Sequence, residues 1–463
     1  MFQKFIKYPA VFAVLILAFS LGIVLVNAIP VSFLSNNLHE SADILLKQGD
    51  NFNLLENKTT YGTVDNYTNA RMLNIAGHNS DMGLKGAFGA YYSRTSDTEP
   101  NEVVNFAETI DTSVLENPLA IQYTRYWHGW KVWLKPLLLF FNISQIQFIV
   151  FILMSALIFI AATMLARLRS CAASVIFGVS YAIVLYPIAC MSLSFASSFL
   201  LSILMSIRVL YVFGKHKRQA KSQVAKKHPR AHTYTHTLSL SRKRPAPKWG
   251  WQIEFFIVGC LTAYFDFLCN PIITLAVPLA LLMFLQGKVS LSKNLKLLVG
   301  CAILWGLGYG LAWAIKWPIA QIITGEPAIA DGLGEILFLS GSRQNQVSNE
   351  ASKLSRTNIL AKQIQMMFPS KIFAVLAVVA IVFVVAYIAV RKRNQLKQAI
   401  PRVVPLLLLA LLPYVWYIFA LKHSNEHYWF TYRNQLVTVL ALGLSVLLVL
   451  RRQARPKPNK RNW

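Results

Sequence analysis

The sequence predicts an all-α polytopic membrane protein with about ten transmembrane helices and a long extracytoplasmic first loop. Three observations carry that prediction. Apolar residues make up 55% of the 463 residues and charged residues only 14%, with a mean hydropathy of +0.45. Such values suit a multi-span chain better than a soluble domain. The apolar residues also gather in runs near the ~20 residues that a helix needs to cross the hydrocarbon. Finally, the basic residues between those runs fall on one side only.

The runs are 9–29, 146–166, 171–188, 191–213, 251–268, 270–286, 297–316, 371–390, 403–421 and 435–450. The runs 171–188 and 270–286 are short and interrupted. The first run has no small-residue cleavage site, so it reads as a retained signal anchor. With the N-terminus in the cytoplasm, Lys4, Lys7, Arg167, Arg169 and the basic stretches within 214–249, 287–296, 391–402 and 451–463 all lie inside, and none of these segments holds an Asp or Glu. The loop 31–145 instead holds 12 of the 19 acidic residues. This is the positive-inside pattern, and it fits a bacterial inner-membrane protein with both termini cytoplasmic. The net charge of +27 therefore reports orientation and contact with anionic membrane lipids, not a nucleic-acid-binding face.

The chain divides accordingly. A signal-anchor span (1–30) precedes the extracytoplasmic loop with interfacial helices (31–145) and spans two to four (146–213). A basic cytoplasmic linker (214–249) leads to spans five to seven (250–316) and a second extracytoplasmic loop (317–370). The last three spans (371–450) end in a basic cytoplasmic tail (451–463).

Within the long loop, residues 36–49 predict a short helix with Glu40 and Asp43 at i, i+3 on one face. A turn-rich region follows, then Tyr61 to Met72 with Asp65, Thr68, Asn69 and Arg71. Residues 76–116, rich in Gly, Ser, Asp and Asn, predict loops with short helices. Trp127, Trp130 and Trp133 at i, i+3, i+6 predict a helix lying in the membrane interface.

Other motifs exclude chemistry. Cys171, Cys190, Cys260, Cys269 and Cys301 lie in or beside apolar runs, which leaves no disulfide framework and no zinc-type spacing. His216, His228, His232 and His236 sit in a low-complexity basic linker without acids and read as solvated. Gly306, Gly308 and Gly310 lie in an apolar helix and predict close helix packing, not a phosphate loop. The sequons at Asn57, Asn66 and Asn142 matter only in a eukaryotic secretory pathway.

Charge near a membrane is costly, so its placement is informative. Three outer clusters stand out: Glu40 with Asp43; Arg125, His128 and Lys131; and Lys422, His423, His427 and Arg433. Asp266, in a Tyr-Phe-Asp-Phe string near the end of the fifth span, is a further candidate that could equally cap locally. Together they suit a phosphate-bearing lipid substrate and a reacting hydroxyl. A carboxylate takes the hydroxyl proton, and Arg, Lys and His hold the leaving phosphate.

This arrangement resembles the GT-C superfamily of integral-membrane glycosyltransferases. The strings YTRYWHGWKVWLKPLL and HSNEHYWFTYRNQ are also similar to multi-span membrane proteins of Gram-positive bacteria with GT-C-like topology. The resemblance implies transfer of a sugar from a polyprenyl-phosphate donor to a glycan or lipid acceptor on the outer face, in cell-envelope glycan synthesis. It places the base at Asp43, with Glu40 or Asp65 in reserve. The donor phosphate would fall to Arg433, His427, His423, Arg125, His128 and Lys131. Many family members carry a tight acidic pair in the first loop, whereas Glu40 and Asp43 are two residues apart. The metal is therefore unknown, with a divalent ion as the one candidate cofactor.

Two other classes compete. A transporter or flippase for a lipid-linked or polar substrate calls for charged or broken helices at the midplane and often for repeats. A non-catalytic envelope scaffold would use the long loop to bind partners.

Overall fold

The computed structural model describes residues 2–227, 250–340 and 356–450, except 56–59, 79, 97, 99–100, 113–115, 118, 288 and 369. His228, His232, His236, the sequon at Asn57, most of the polar run that starts at Ser342 and the tail from Arg451 lie outside the described residues.

The first span α1 (Phe2–Asn27) leads into the long loop. There α2 (Ser35–Gln48) precedes an antiparallel hairpin of β1 (Asn51–Asn53) and β2 (Thr63–Asp65), in which Asn51 pairs with Asp65. Helices α3 (Asn66–His78), α4 (Gly83–Gly89), α5 (Glu102–Thr109) and α6 (Lys131–Leu138) complete the loop. The bundle continues with α7 (Ile143–Leu168), α8 (Cys171–Ile183), α9 (Tyr186–Met191), α10 (Leu193–Lys227), α11 (Trp251–Phe265), α12 (Ile272–Leu285) and α13 (Leu291–Thr324). Then come α14 (Ala328–Leu339), α15 (Arg356–Gln365), α16 (Lys371–Arg391), α17 (Arg393–Phe419), α18 (Leu421–Glu426), α19 (Tyr428–Thr431) and α20 (Leu436–Leu450).

Among the described residues, 7 helices are long and apolar enough to cross a membrane: α1, α7, α10, α13, α16, α17 and the stretch Tyr428–Leu450. The other three expected spans form α8, α11 and α12, which are apolar but shorter. At 1.5 Å per residue, α12 reaches only ~21 Å, against ~30 Å of hydrocarbon. Every residue of α12 from Ile272 to Leu285 is buried. A helix that is apolar all round needs protein on all sides, and α10, α11, α13, α17 and α20 supply it. By contrast, α16 has no buried residue.

Helices α11 and α13 run parallel and touch backbone to backbone. A Cβ on Gly259 would meet the Trp305 carbonyl oxygen at 2.1 Å, and one on Gly308 would meet that of Phe256 at 2.2 Å. Of Gly306, Gly308 and Gly310, only Gly308 makes such a contact; a Cβ on Gly306 or Gly310 would meet open space. Trp127 Nε1 donates to Ala312 O at 2.6 Å and Gly129 N to Tyr264 O at 2.9 Å, which levels residue 264 with residue 312. Helix α13 therefore continues roughly 15 Å past the turn after α11.

The long loop is fused to the bundle. Leu73, Phe106 and Trp130 share one apolar core with α7, α10 and α12, while Phe88 and Trp127 join a second with α1, α11 and α13. The three expected outer segments also meet at one end. Arg125 pairs with Asp331 at 3.1 Å, Tyr432 OH donates to Tyr61 O at 3.4 Å, and Gln363 Nε2 donates to Ser424 O at 2.8 Å.

Two expectations change. The Trp-rich run is not one interfacial helix, because His128 is in the left-handed region at φ 55° and α6 begins only at Lys131. Trp127 and Trp130 consequently point into protein and not into headgroups. The expected linker from residue 214 begins as helix, since α10 runs on to Lys227 through Lys, Arg, Gln and Ala, all good helix formers.

Candidate active site

The start of α10 organises the site. Its first residues, Ser192 to Ser198, carry four serines within an otherwise apolar run, and all four are buried. Asn69 clamps α3 onto this start: its Oδ1 accepts the Leu193 N–H at 2.9 Å and its Nδ2 donates to Met191 O at 2.9 Å. The hairpin comes with α3, and Asp65 N donates to Ser192 Oγ at 3.0 Å. Asp65 then caps α3, with Oδ1 accepting the Thr68 N–H at 3.0 Å.

Two further segments reach the same turn. The α11–α12 connection brings Asp266, whose Oδ1 accepts from Ser198 Oγ at 2.5 Å. The start of the last span brings Arg433, with its guanidinium carbon 5.4 Å from the Phe195 ring centre and 4.9 Å from that of Tyr432. Rings of Tyr61 and Tyr432, 5.8 Å apart, close the seam between long loop and last span.

The positive end of a helix favours carboxylates, and two of them gather here. Burial raises the Asp65 carboxyl above its ordinary value; hydrogen bonds from Thr68 and the charges of Arg71 and Arg433 offset part of that rise. Arg433 Nη1 donates to Trp429 O at 3.2 Å, while its Nε and Nη2 are buried without partners. The same holds for Asp266 Oδ2 and both side-chain amide atoms of Asn270 and Asn434. Buried polar atoms are normally paired, so this concentration of unmet hydrogen-bonding capacity marks the place where a polar ligand would be held.

The structure sorts the expected residues. Glu40 and Asp43 lie on the exposed face of α2, opposite the buried Leu38, Ser41, Ala42 and Leu45. Glu40 accepts from Asn142 Nδ2 at 2.8 Å, and Asp43 makes no side-chain hydrogen bond or ion pair among the described residues. Asp65 is the expected carboxylate brought to Arg433. Arg125 is taken by Asp331 at 3.1 Å and Glu335 at 3.4 Å. His128 Nε2 bonds Tyr123 O at 2.8 Å, and Lys131 Nζ donates to Ala87 O at 3.1 Å. His423 Nε2 donates to Leu268 O at 3.1 Å, and His427 stacks on Phe430 with ring centres 5.0 Å apart. Burial lowers His423 to about 3, with help from His427, and lowers His427 to about 4. Both rings are therefore neutral at neutral pH. Of the expected phosphate ligands among the described residues, Arg433 is the guanidinium that is fully buried without an ion-pair partner.

Sequence reasoning missed the serine run and Asn270. Polar residues interrupting an apolar run were the available signal. For a metal, no group of three or more His, Cys, Asp or Glu that could hold an ion occurs among the described residues. Comparisons with protein-family models, curated proteins and solved structures find no match to this chain.

Proposed function

We propose that the chain is a membrane glycosyltransferase of GT-C type that uses a polyprenyl-phosphate sugar on the outer face of a bacterial inner membrane, for cell-envelope glycan synthesis. The observation that carries this is that buried Asp65 and buried Arg433 both pack against the start of α10 and feel each other's charge, with two guanidinium nitrogens unpartnered. Asp65 takes the proton of the acceptor hydroxyl. The acceptor oxygen bonds to the anomeric carbon, the bond from that carbon to the phosphate oxygen breaks, and polyprenyl phosphate leaves with its charge on Arg433. Burial suits both roles, because it raises the basicity of the carboxylate and strengthens the phosphate contact.

Reconstituted protein, given a panel of radiolabelled polyprenyl-phosphate hexoses and envelope acceptors, tests this reading. Asp65→Asn and Arg433→Gln abolish transfer while the melting temperature stays within the folded range. Wild-type transfer by both variants would sink it. A flippase reading draws on the break at 266–270 between two short buried helices. It predicts movement of a lipid-linked sugar across proteoliposomes with no covalent transfer.

A further inference from the structure

The turn 266–270 faces two ways. On its polar side, Asp266 Oδ1 is engaged by Ser198 Oγ at 2.5 Å and by the Asn270 N–H at 3.5 Å, which leaves Oδ2 without a partner. Asn270 is fully buried with neither its amide oxygen nor its amide nitrogen bonded. Ser194 lies one turn before Ser198 on the same face of α10, where its hydroxyl faces the Cys269 thiol, a weak partner.

On its aromatic side, Phe267 packs with the rings of Tyr123, Tyr126, His128 and Trp130 at centre distances of 6.3, 5.9, 5.4 and 5.6 Å. His128 Nδ1 and Trp130 Nε1 are buried there without partners. The backbone is strained on both sides. His128 at φ 55° and Leu268 at φ 65° are two of the four non-glycine residues with positive φ among those described. Such strain is retained at binding and catalytic sites when the surrounding structure enforces it.

This combination has a chemical meaning. One carboxyl that burial raises to about 7, one amide that both donates and accepts, and one hydroxyl match groups that themselves both donate and accept. Arg433 is assigned to the donor phosphate, and the other nearby cations are engaged elsewhere: Arg125 with Asp331 and Glu335, Lys131 with Ala87 O, and Lys316 with Phe88 O. An anionic sugar would therefore face Asp266 without a counter-charge.

We propose that the polar side of this turn binds an uncharged hexosyl group, with Asp266, Asn270 and Ser194 bonding its hydroxyls, while the ring cluster behind Phe267 holds the turn in place. This rests on the glycosyl-transfer reading and makes the polar side the sugar subsite beside the Asp65 and Arg433 reaction centre.

The test uses the full chain in nanodiscs and intrinsic tryptophan fluorescence. The probes are the hexyl β-glycosides of glucose, galactose and mannose, hexanol, hexyl glucuronide and, separately, farnesyl phosphate. At least one neutral glycoside binds about tenfold tighter than hexanol, and the glucuronide about tenfold weaker than the glucoside. Asn270→Leu and Ser194→Ala each lose about tenfold on the glycoside and nothing on farnesyl phosphate; Arg433→Gln does the reverse. Should Asn270→Leu fail to fold, Ser194→Ala carries the comparison alone. Three outcomes overturn the sugar subsite: no glycoside better than hexanol, glucuronide equal to glucoside, or glycoside binding unchanged in folded variants. If farnesyl phosphate does not bind while a glycoside does, the transferase reading fails and the sugar subsite stands.

Discussion

Two groups of buried charge lie in one bundle and are built in opposite ways. Around the end of α4, Lys131 donates to Ala87 O at 3.1 Å, Lys316 to Phe88 O at 2.6 Å and Lys135 to Asn27 O at 3.3 Å. Two of these cations cap the negative end of a helix. Burial and the neighbouring Lys135 lower Lys131 to about 7, so its proton is loosely held and its role is to fix α4. At the start of α10, Arg433, Asp266 and Asn270 instead keep buried atoms unbonded. Buried charge by itself marks nothing; the two groups differ in whether their charged atoms find partners.

The sharpest way to break this contrast is to exchange the two kinds of residue. Arg433→Gln should lower transfer by about 10³-fold or more, as loss of a transition-state charge partner does. Lys316→Met, which replaces a buried ammonium by an apolar chain of similar length, should leave transfer within about threefold and stability unchanged or higher. Radiometric transfer and thermal melts on the same preparations decide it; equal losses of activity would erase the distinction.

Asp65→Asn comes next, at about 10²–10⁴-fold in transfer. Asn still caps α3, so the variant should also melt higher than the wild type. The sign follows from burial. A carboxyl with a raised folded-state value contributes stability that is fully present below its unfolded value and lost as pH rises through its folded value. The melting gap between variant and wild type should therefore widen with rising pH over that window, and the acid limb of the rate profile should lie above the ordinary Asp range. A gap independent of pH would contradict it.

Smaller effects refine the boundary of the site. His427→Gln should leave the acid limb where it is, because the His427 ring, lowered to about 4, is already neutral across the working range. A limb that moves would put the ring in the reaction. The smallest effects belong to Asp43→Asn and Glu40→Gln, within about 0.5 kcal/mol in stability and with transfer unchanged. Loss of transfer in either would return the base to α2.

Much of the architecture was legible in the residues. The apolar runs became helices because length and composition are strong constraints in a membrane chain. The meeting of the long loop with the start of the last span was legible too, in the crowding of donors from Lys422 to Arg433. Which carboxylate faced Arg433 was not. Glu40 and Asp43 have the right place in sequence, but Leu38, Ala42 and Leu45 turn the opposite face of α2 inward. Asp65 arrives through Asn69 gripping the start of α10, a contact across 124 positions that no local pattern encodes. Asn270 was hidden for another reason: beside Pro271 it looks like an ordinary helix start.

The glycine crossing of α11 and α13 bears on how anything enters. Two helices in backbone contact cannot slide without lifting apart, so α11 and α13 behave as one strut and the depth of the Asp266 turn is constant. Admission then falls to parts mounted on that strut. Helix α14 is one such part, held by Arg125 at Asp331 and Glu335 and by Gly332 lying against the Trp317 ring. A cross-link between α11 and α13 should leave turnover intact.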